Sequence, residues 1–415
     1  MAAPKHILVL ASYIPASDAD PHPGFVRDQV VALKKEYPSS QYSVLAAHDA
    51  RSHAMRQIGR GRGTEYYKEY RFHYFWPRSH ETLAMGGILP ALSRNPAYYL
   101  VLPFFVAAEF FALLKLTRRL KPDIIYAHWF TPQGINAGFV SALTHTPFVY
   151  TSHSSDVAVL RRLPLLGRAL VRHFSRRARA ITVVSRPSLE RLREFFDEKE
   201  WSDIGGKVAV ISMGVEARAG TRSTKARAKG RKNILFIGRL VEKKGVQYLL
   251  PAFAPIQDLH PRAALTIAGD GPWLARLQEQ ARQLNLRPER ITFAGYVTGD
   301  AKEVLIANAD VCVVPSVIAA NGDAEGLPVA LLEGLAAGKI CIATNESGAA
   351  DIMTDEVDGF LVPHKNARRL ATALDRSLRL SSKQLSRMQR RALKTSRRFA
   401  WPQIARKHYH HLFER

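Results

Sequence analysis

The sequence predicts an α/β protein built from two doubly wound parallel-sheet domains. The chain has 415 residues, about 2.5 to 3 times the usual size of one domain. Short apolar runs rich in β-branched residues alternate with helical patterns, which is typical of parallel sheets covered by helices. The alternation stops near residue 220 and then restarts. With 47% apolar and 23% charged residues, the composition is that of a globular protein and excludes a disordered chain.

The first half contains six apolar runs that we predict to be strands. They cover residues 6–11, 42–46, 123–127, 148–151, 180–184 and 208–211. A helix is predicted to follow the fifth run, from Pro187 to Phe196. These elements assign residues 1–216 to the first domain.

A small, basic stretch separates the two halves. Residues 217–231 contain no large apolar side chain and are predicted to be a linker. The second series of strands covers residues 233–238, 264–268, 291–294, 311–315 and 340–344, within a second domain of residues 232–390. In such pairs of domains, ligands bind at the carboxyl ends of the strands, in the cleft between the domains.

The net charge of +24 indicates an anionic partner, such as nucleic acid, an acidic membrane or phosphorylated ligands. Four segments carry the excess: residues 51–78 (+5), 157–179 (+7), 217–232 (+7) and 367–415 (+12). No zinc-finger pattern, RNP aromatic motif or basic heptad region accompanies them. A nucleic-acid-binding protein is therefore a remote alternative.

Residues 98–116 form the most apolar stretch, long enough on paper to span a bilayer. Glu109 near its middle would cost about 2.5–3.5 kcal/mol inside a membrane. The stretch also leads into a predicted strand, as a helix of a parallel sheet does. We interpret it as a helix buried against the sheet; a partly exposed helix resting on a membrane is the alternative, and a true span is disfavoured.

Cysteine content and the amino terminus bear on the compartment. Cys312 and Cys341 are the only two cysteines, too few for a disulfide framework, which favours a reducing compartment. The first apolar run, residues 7–11, is shorter than a signal-peptide core. We therefore expect a cytoplasmic protein.

The loops that follow the strands of the second half carry charged and glycine residues. Arg239 and Lys244 in GRLVEKKG place two cations at the carboxyl edge of the predicted sheet, where a guanidinium forks onto phosphate oxygens and a lysine acts as a point charge. The turn Gly269-Asp270-Gly271 follows the next strand, and its glycines permit close backbone approach.

The segment EGLPVALLEGLAAGK is the most informative part of the sequence. Pro328 suits the first turn of a helix, which makes Gly326 and Leu327 an approach loop whose backbone N–H groups face an anion. Glu333 then lies about 7–8 Å along the axis from Pro328, while Glu325 precedes the helix. Two carboxylates so placed can accept hydrogen bonds from hydroxyls on opposite sides of a diphosphate.

These motifs together resemble the retaining glycosyltransferases of family four, which have the GT-B fold. The resemblance runs along the whole chain and includes KPDIIYAHW, TSHSSD, ISMGV, GRLVEKKG, AGDGP, the EGLP segment and DGFLV. It implies two Rossmann-like domains facing across a cleft, the first binding the acceptor and the second the nucleotide sugar. It also implies that residues 391–415 cross back to the first domain as a helix.

The resemblance further implies roles for individual residues. Arg239 and Lys244 hold the donor diphosphate, and Glu333 binds the ribose hydroxyls. Glu325, with the backbone of Gly326, Leu327 and Pro328, holds the donor sugar. His153 approaches that sugar from the first domain, and Gly24 lies in the loop after the first strand. The residues expected to be catalytic are His153, Glu325, Arg239 and Lys244.

The expected reaction transfers a sugar to an acceptor hydroxyl with retention, stabilising the leaving diphosphate with cations and helix N–H groups rather than a metal. Asp18 and Asp20 match the DxD pattern of metal-using transferases, but no other ligands neighbour them in the sequence, and we expect a polar loop. His408, His410 and His411 could suggest metal binding, but we interpret them as part of an amphipathic helix over residues 401–413. No cofactor or metal is therefore expected.

The function predicted is a nucleotide-sugar-dependent glycosyltransferase acting on a lipid-linked or glycan acceptor in cell-envelope or exopolysaccharide synthesis. The seven arginines of residues 157–179 would attract anionic lipids, which predicts a peripheral position at the inner face of the cell membrane. A nucleotide-sugar epimerase or a phosphorylase on the same fold is the alternative enzyme.

Overall fold

The computed structural model describes residues 4–15, 24–51, 62–216 and 232–414. The chain divides into two compact units, Met1–Gly214 with Trp401–Arg415, and Val215–Ala400. The predicted linker 217–231 and the DxD residues Asp18 and Asp20 lie outside the described residues.

The first unit is an eight-stranded sheet with helices on its faces. Its strands lie in the order β3-β4-β2-β1-β5-β6-β7-β8, and the described neighbours pair in parallel except β3 with β4. The strands are β1 (His6–Leu10), β2 (Gln41–Ala47), β3 (Arg62–Gly63), β4 (Lys68–Phe72), β5 (Ile124–His128), β6 (Phe148–Ser152), β7 (Ile181–Val183) and β8 (Val208–Val210).

The helices of the first unit mostly connect these strands. They are α1 (Phe25–Glu36), α2 (Ile88–Arg94), α3 (Tyr98–Leu120), α4 (Ile135–Thr144), α5 (Ser155–Ala158), α6 (Pro164–Arg177), α7 (Arg186–Arg193) and α8 (Glu198–Gly205). Asp197 and Glu200 form a reciprocal capping box at the start of α8, which satisfies two backbone N–H groups that a helix start leaves unpaired. The core is aromatic, with Phe105, Phe130, Phe148, Tyr150 and Phe174 almost completely buried.

The second unit is a six-stranded parallel sheet. Its order is β11-β10-β9-β12-β13-β14, the 3-2-1-4-5-6 arrangement of a doubly wound nucleotide-binding domain. The strands are β9 (Lys232–Ile237), β10 (Ala263–Ala268), β11 (Ile291–Gly295), β12 (Val311–Val314), β13 (Ile340–Thr344) and β14 (Phe360–Val362). Its helices are α9 (Val246–Leu259), α10 (Leu274–Gln283), α11 (Gly299–Asn308), α12 (Val329–Ala336), α13 (Ala367–Leu378) and α14 (Ser382–Arg397).

The final helix, α15 (Trp401–Phe413), belongs to the first unit. Tyr409 stacks on Tyr37 with ring centroids 3.5 Å apart, and its hydroxyl hydrogen-bonds that of Ser40 at 3.0 Å. The predicted crossing segment begins too early at residue 391, since residues 391–400 remain in the second unit. The reason is that α14 packs on α12 and buries Met388 and Ala392 there.

All eleven strands predicted from the sequence are present, and three further strands were missed. β3 and β14 are only two and three residues long. β4 has the sequence KEYRF, in which charged residues interrupt the apolar ones. Part of the basic segment 51–78 is thus a strand, and Arg71 within it donates to the carbonyls of Ala47 and Ile14 rather than facing a partner molecule.

Helix α3 corrects the prediction that residues 98–116 are buried. One face, which includes Val101, Phe105 and Leu113, packs into the core. The opposite face leaves Leu100, Phe104 and Phe111 exposed by 76%, 58% and 65%. By length and composition α3 is apolar enough to cross a membrane, and 33% of its most apolar window is buried. An apolar sequence alone does not reveal which face is covered.

Candidate active site

The loops after β9 and β10 fit together through glycine. A Cβ built on Gly269 would lie 1.9 Å from the carbonyl oxygen of Gly238, and one on Gly271 would lie 2.3 Å from that of Leu240. The N–H of Leu240 also donates to the carbonyl of Asp270 at 2.9 Å. Only glycine permits backbones to approach so closely. The two motifs GRL and AGDGP therefore form one joint surface at the carboxyl edge of the sheet, and Arg239 lies within it.

Lys244 lies beside this surface, in the short helical turn Glu242–Lys244. Gly245, which ends the turn, has a φ of +72° and packs so closely on Pro315 that a Cβ would lie 1.7 Å from the Pro315 carbonyl oxygen. The neighbouring N–H of Val317 donates to the carbonyl of Lys243 at 2.8 Å. The turn after β9 is thus fixed to the loop after β12.

Two residues assigned to the donor contact each other. The Nζ of Lys244 forms an ion pair with Oε1 of Glu325, and the Ser316 hydroxyl donates to Oε2 of Glu325 at 2.6 Å. The side chains of Lys244 and Glu325 are 19% and 11% exposed. A lysine held by a partly buried carboxylate at the edge of a parallel sheet is positioned before any ligand arrives.

The approach loop and the helix after it differ from the prediction in one detail. Pro328 is the residue that caps α12, in an extended conformation with φ −80° and ψ 96°, and the helix begins at Val329. Pro328 therefore precedes the first helical turn instead of lying within it. Gly326, Leu327 and Pro328 are buried, as expected for a loop that passes between β12 and α12.

Glu333 lies on the second turn of α12 and has a partner that sequence reasoning missed. Its Oε1 is 2.5 Å from Nζ of Lys302, on α11. The two side chains are 14% and 25% exposed. Lys302 lies outside every sequence motif and is 31 residues from Glu333. The sequence near Lys302 therefore gave no sign that it pairs with Glu333. The structure adds Lys302 to the candidate donor-binding residues.

In the first unit, His153 follows β6 in an aromatic setting. Its ring lies 5.2 Å from that of Phe25 and 5.0 Å from that of Trp129, between centroids. Its Nε2 is 3.3 Å from Nδ1 of His128. Burial, with a further contribution from His408, lowers the pKa of His153 to about 3. The imidazole is therefore neutral at physiological pH and can act as a hydrogen-bonding group.

Asp156 positions the loop that carries His153. Its carboxylate accepts hydrogen bonds from the backbone N–H of Phe130 at 2.6 Å and of His153 at 3.0 Å, and from the Ser152 hydroxyl at 3.1 Å. Burial raises the pKa of Asp156 to about 6 despite these donors. Trp129, which precedes Phe130, and Ser154, which follows His153, have φ values of +70° and +89°. Such backbone strain clusters at functional sites.

Gly24 immediately precedes α1. A Cβ there would lie 3.3 Å from Cγ of Pro15 and 3.4 Å from Nε of Arg27. The next residue, Phe25, contacts His153, so the first-unit residues predicted from the sequence are close together. In the second unit, Lys244 and Glu325 are in contact, and Glu333 is held by Lys302.

The three histidines near the carboxyl terminus are not a cluster. His408 is fully buried in the first unit. His411 lies with Nε2 3.0 Å from the carbonyl oxygens of Ile181 and Lys207. His410 is on the exposed side and pairs with Glu414 at 2.8 Å. His408 and His411 therefore share the buried face of α15, and His410 lies on the exposed face.

Comparisons with known proteins agree with this architecture. The family described as Glycosyltransferase Family 4 matches residues 67–218, and the family described as Glycosyl transferases group 1 matches residues 219–395. Together the two matches cover most of the chain. With two parallel-sheet units and charged side chains at strand ends, they define a sugar-transferring class of protein. The chain belongs to the family-four glycosyltransferases.

The relatives include enzymes of several glycan classes. The glycosyltransferase WcaL of Escherichia coli, named for colanic acid biosynthesis, is 28% identical over 66% of this chain and 65% of its own length. The amylovoran biosynthesis glycosyltransferase AmsK of Erwinia amylovora is 30% identical over 42% of each chain. This chain thus aligns with slightly less than two thirds of WcaL.

Solved structures show the same fold. Sucrose-phosphate synthase of Thermosynechococcus elongatus is 19% identical, covers 97% of each chain and superposes with a TM-score of 0.73. The Anabaena protein HepE, solved with UDP-glucose, is 17% identical with a TM-score of 0.66 over 97% of each chain. The predicted GT-B fold of two Rossmann-like parallel-sheet domains is confirmed.

Proposed function

We propose that the protein transfers a sugar from a nucleoside diphosphate sugar to an acceptor hydroxyl, with retention at the anomeric carbon. The observation that carries this proposal is the pairing of Lys244 with Glu325, at the strand-end loops of the second unit. Two similar proteins support a nucleotide-sugar donor: HepE was solved with UDP-glucose, and a Mycobacterium tuberculosis relative, 34% identical over 35% of this chain, is named as a GDP-mannose-dependent mannosyltransferase.

The second unit offers complementary groups for such a donor. The diphosphate would be held by Arg239 and Lys244. The Lys244 side chain is already oriented by Glu325, so binding needs little reorganisation. Glu333 would accept hydrogen bonds from the ribose hydroxyls in exchange for its contact with Lys302. Glu325, also bonded to Ser316, would accept from the sugar hydroxyls.

In the proposed reaction, the bond between the anomeric carbon and the β-phosphate oxygen breaks. A bond from the acceptor oxygen to that carbon forms on the same face of the sugar. The acceptor proton passes to the leaving phosphate oxygen, and the two cations stabilise the negative charge that develops there. No metal is needed for this step. His153, which is neutral, would hydrogen-bond a sugar hydroxyl.

The donor is tested by thermal shift with a panel of UDP-, GDP- and ADP-sugars. We expect one nucleotide sugar to raise the melting temperature and Lys244→Ala to abolish that rise. Lys243→Ala is the matched control, because Lys243 lies in the same turn and pairs instead with Asp323 at 2.9 Å. If no nucleotide sugar stabilises the protein, or if both variants lose the effect equally, the donor assignment is wrong.

Retention and the need for metal are tested with the donor so identified. We expect the NMR coupling constant of the new anomeric proton to match the configuration in the donor, and transfer to persist in EDTA. An inverted product would refute retention. Loss of transfer in EDTA with recovery on adding a divalent cation would refute metal-free chemistry and restore Asp18 and Asp20 as candidates.

We also propose that the acceptor is a lipid-linked sugar or a glycan of the cell envelope or an exopolysaccharide. The names of WcaL and AmsK, both for polysaccharide biosynthesis, support this class. Transfer to polyprenyl-diphosphate sugars is compared with transfer to soluble oligosaccharides and to inorganic phosphate. Activity with phosphate alone would favour a phosphorylase over a transferase.

The proposed membrane position, at the cytoplasmic face, rests on an exposed apolar surface of the first unit. We define this apolar surface by the exposed large apolar residues of three helices and the segments before them: Trp76, Leu100, Phe104, Phe111, Phe139, Leu143, Leu163, Leu165 and Leu166. Helix α3 packs on α4, and Phe139 of α4 contacts Phe174 of α6 with ring centroids 4.9 Å apart. Clustered exposed apolar side chains of this kind are typical of surfaces that meet a membrane or another protein.

The charges near this surface differ from the sequence expectation. Arg172 and Arg176 both bind Glu200 at 2.8 Å, and Arg161 pairs with Glu194. Glu200 and Glu194 thus offset two of the seven positive charges of residues 157–179 within the unit. Arg162 and Arg168 are exposed beside Leu165 at the start of α6. Each basic residue near an anionic surface contributes about 1 kcal/mol, so the apolar contribution should dominate.

Vesicle flotation tests this surface. We expect wild type to float with vesicles containing phosphatidylglycerol, and the double variant Leu165→Asp, Leu166→Asp to stay at the bottom. Leu259→Asp is the control, because Leu259 is 57% exposed but lies in the second unit. The proposal fails if wild type does not float or if the control loses binding equally.

A further inference from the structure

We propose that His48, His73 and Glu81 form a binding site for a divalent transition-metal ion of the zinc class. The three residues lie in the first unit and have no role in the proposed sugar transfer. One ligand atom of each residue lies within 4.8 Å of those of the other two. We call them the His–His–Glu cluster.

The sheet brings the two histidines together. β2 and β4 are parallel neighbours with Ala47 opposite Phe72, and His48 and His73 are the next residue of each strand. The N–H of His48 donates to the carbonyl of Phe72 at 2.9 Å, and the imidazole centroids are 4.6 Å apart. The cluster therefore stands at the carboxyl edge of the sheet, where ligands bind in doubly wound domains.

Glu81 completes the cluster with one oxygen held and the other directed at the imidazoles. Its Oε1 accepts from the backbone N–H groups of Tyr74 and Phe75, at 2.6 and 3.0 Å, and from Nη1 of Arg78 at 3.0 Å. Its Oε2 lies 2.5 Å from Nδ1 of His48 and 2.7 Å from Nδ1 of His73. Hydrogen bonds to Oε1 fix the orientation of the carboxylate, as donors that hold a metal-binding carboxylate do in metal sites.

The His–His–Glu cluster is largely shielded from water. The Glu81 side chain is fully buried, and that of His48 is 12% exposed. The Nδ1 of His48 lies 2.5 Å from Oε2 of Glu81, in an ion-pair contact whose geometry is not that of an ordinary hydrogen bond. A cation bound between these atoms would be held by the Nδ1 lone pair and the carboxylate together.

The donor types select the ion. Two imidazoles and one carboxylate suit zinc, with bonds of about 2.0–2.2 Å, and leave a fourth position for water. Tetrahedral ligands at those bond lengths stand about 3.3 Å apart. The two nitrogens would therefore move away from Oε2 by less than about 1 Å. His73 is 32% exposed and gives the ion a route from solvent.

A bound ion would tie the ends of β2 and β4 to the segment that carries Glu81. It would therefore stabilise the first unit rather than take part in sugar transfer. The charge of the ion would be offset by Glu81, while Arg78, which opposes it, is 52% exposed and screened by water.

The test uses tag-free protein dialysed against chelator and titrated with Co²⁺ alone. We expect visible absorption bands that saturate at one equivalent and disappear when Zn²⁺ is added, together with a zinc-dependent rise in melting temperature. His73→Ala should lower the affinity for Co²⁺ and for Zn²⁺ by about tenfold or more. Because His73 is partly exposed, this variant should fold without metal, which circular dichroism checks.

His80→Ala is the matched control, since His80 is an exposed histidine in the same segment. It should bind Co²⁺ like the wild type, as should His410→Ala, which removes an exposed histidine of α15. If Co²⁺ gives no saturable bands, or if His73→Ala binds as wild type does, the cluster is a hydrogen-bonded anchor and the proposal is wrong. None of these measurements involves sugar transfer, so they stand apart from the proposed function.

Discussion

The two units present different chemistry at the carboxyl edges of their sheets. In the second unit, charged side chains pair with one another: Lys244 with Glu325, and Lys302 with Glu333. In the first unit, β5 ends at His128 and His153 follows β6, and both histidines are neutral. Burial lowers the pKa of both, that of His153 to about 3. The strand ends of the second unit are suited to an anionic ligand, and the ends of β5 and β6 in the first unit to a neutral one.

The difference is consistent with the proposed reaction, in which the second unit would bind the donor and the first unit would position the sugar. Ion pairs that remain partly exposed can exchange one partner for a ligand, because water screens the charges during the exchange. Buried neutral groups keep a fixed orientation and hydrogen-bond without charge. We expect variants of the second unit to affect donor binding most and variants of the first to affect the positioning of the sugar.

The largest expected effect is that of Glu333→Ala on transfer. Hydrogen bonds from ribose hydroxyls to a carboxylate contribute about 1.5–3 kcal/mol each, so losing them should lower kcat/KM for the donor by about 10² to 10³. Steady-state kinetics measures kcat/KM, and Lys302→Ala should lower kcat/KM much less than Glu333→Ala does. If Glu333→Ala lowers the melting temperature but leaves kcat/KM unchanged, the ion pairs of the second unit are structural.

His153→Ala should lower kcat by about 10², because the sugar loses one positioned hydrogen bond and its packing partner. Since the pKa of His153 is about 3, the wild type should show no loss of activity from protonation of this residue between pH 5 and 8. The pH–rate profile measures this. His173→Ala, an exposed histidine of α6, should be silent. An inflection near pH 6.5 that His153→Ala removes would contradict the neutral first-unit edge.

The smallest expected effect concerns the stability of the first unit. Glu109 on α3 is fully buried and accepts from Gln133 and Asn136 at 2.8 Å each, and burial raises its pKa to about 7. A folded-state pKa above the ordinary 4.5 means that the folded state binds the proton more tightly. The contribution of Glu109 to stability therefore rises as pH falls from above 7 to about 4.5.

Glu109→Gln should remove this pH dependence. The change that it causes in the free energy of unfolding should be about 1–3 kcal/mol more favourable at pH 8 than at pH 4.5. Urea unfolding at both pH values measures it. Glu190→Gln, at an exposed position of α7, should leave the free energy of unfolding unchanged at both pH values. Equal effects of Glu109→Gln at the two pH values would show that folding does not raise the pKa of Glu109.

Much of the fold could be predicted because its signals are local. Strand periodicity located eleven strands, and the rule that ligands bind at strand ends directed attention to Lys244 and Glu325, which the structure places in contact. The strands that were missed are short or interrupted by charge, as in β4. Pro328 was placed one position too far into its helix, because the sequence does not distinguish a cap from a first turn.

The sequence by itself determined that the chain has two parallel-sheet units, which loops carry charge and glycine, and which family it belongs to. Tertiary structure alone decided that Lys302 reaches Glu333, that His128 lies against His153, and that α3 leaves one apolar face uncovered. It also brought His48 and His73 together. Periodicity and loop composition are encoded within a few residues, whereas these contacts depend on strand order and helix packing between residues far apart in the chain.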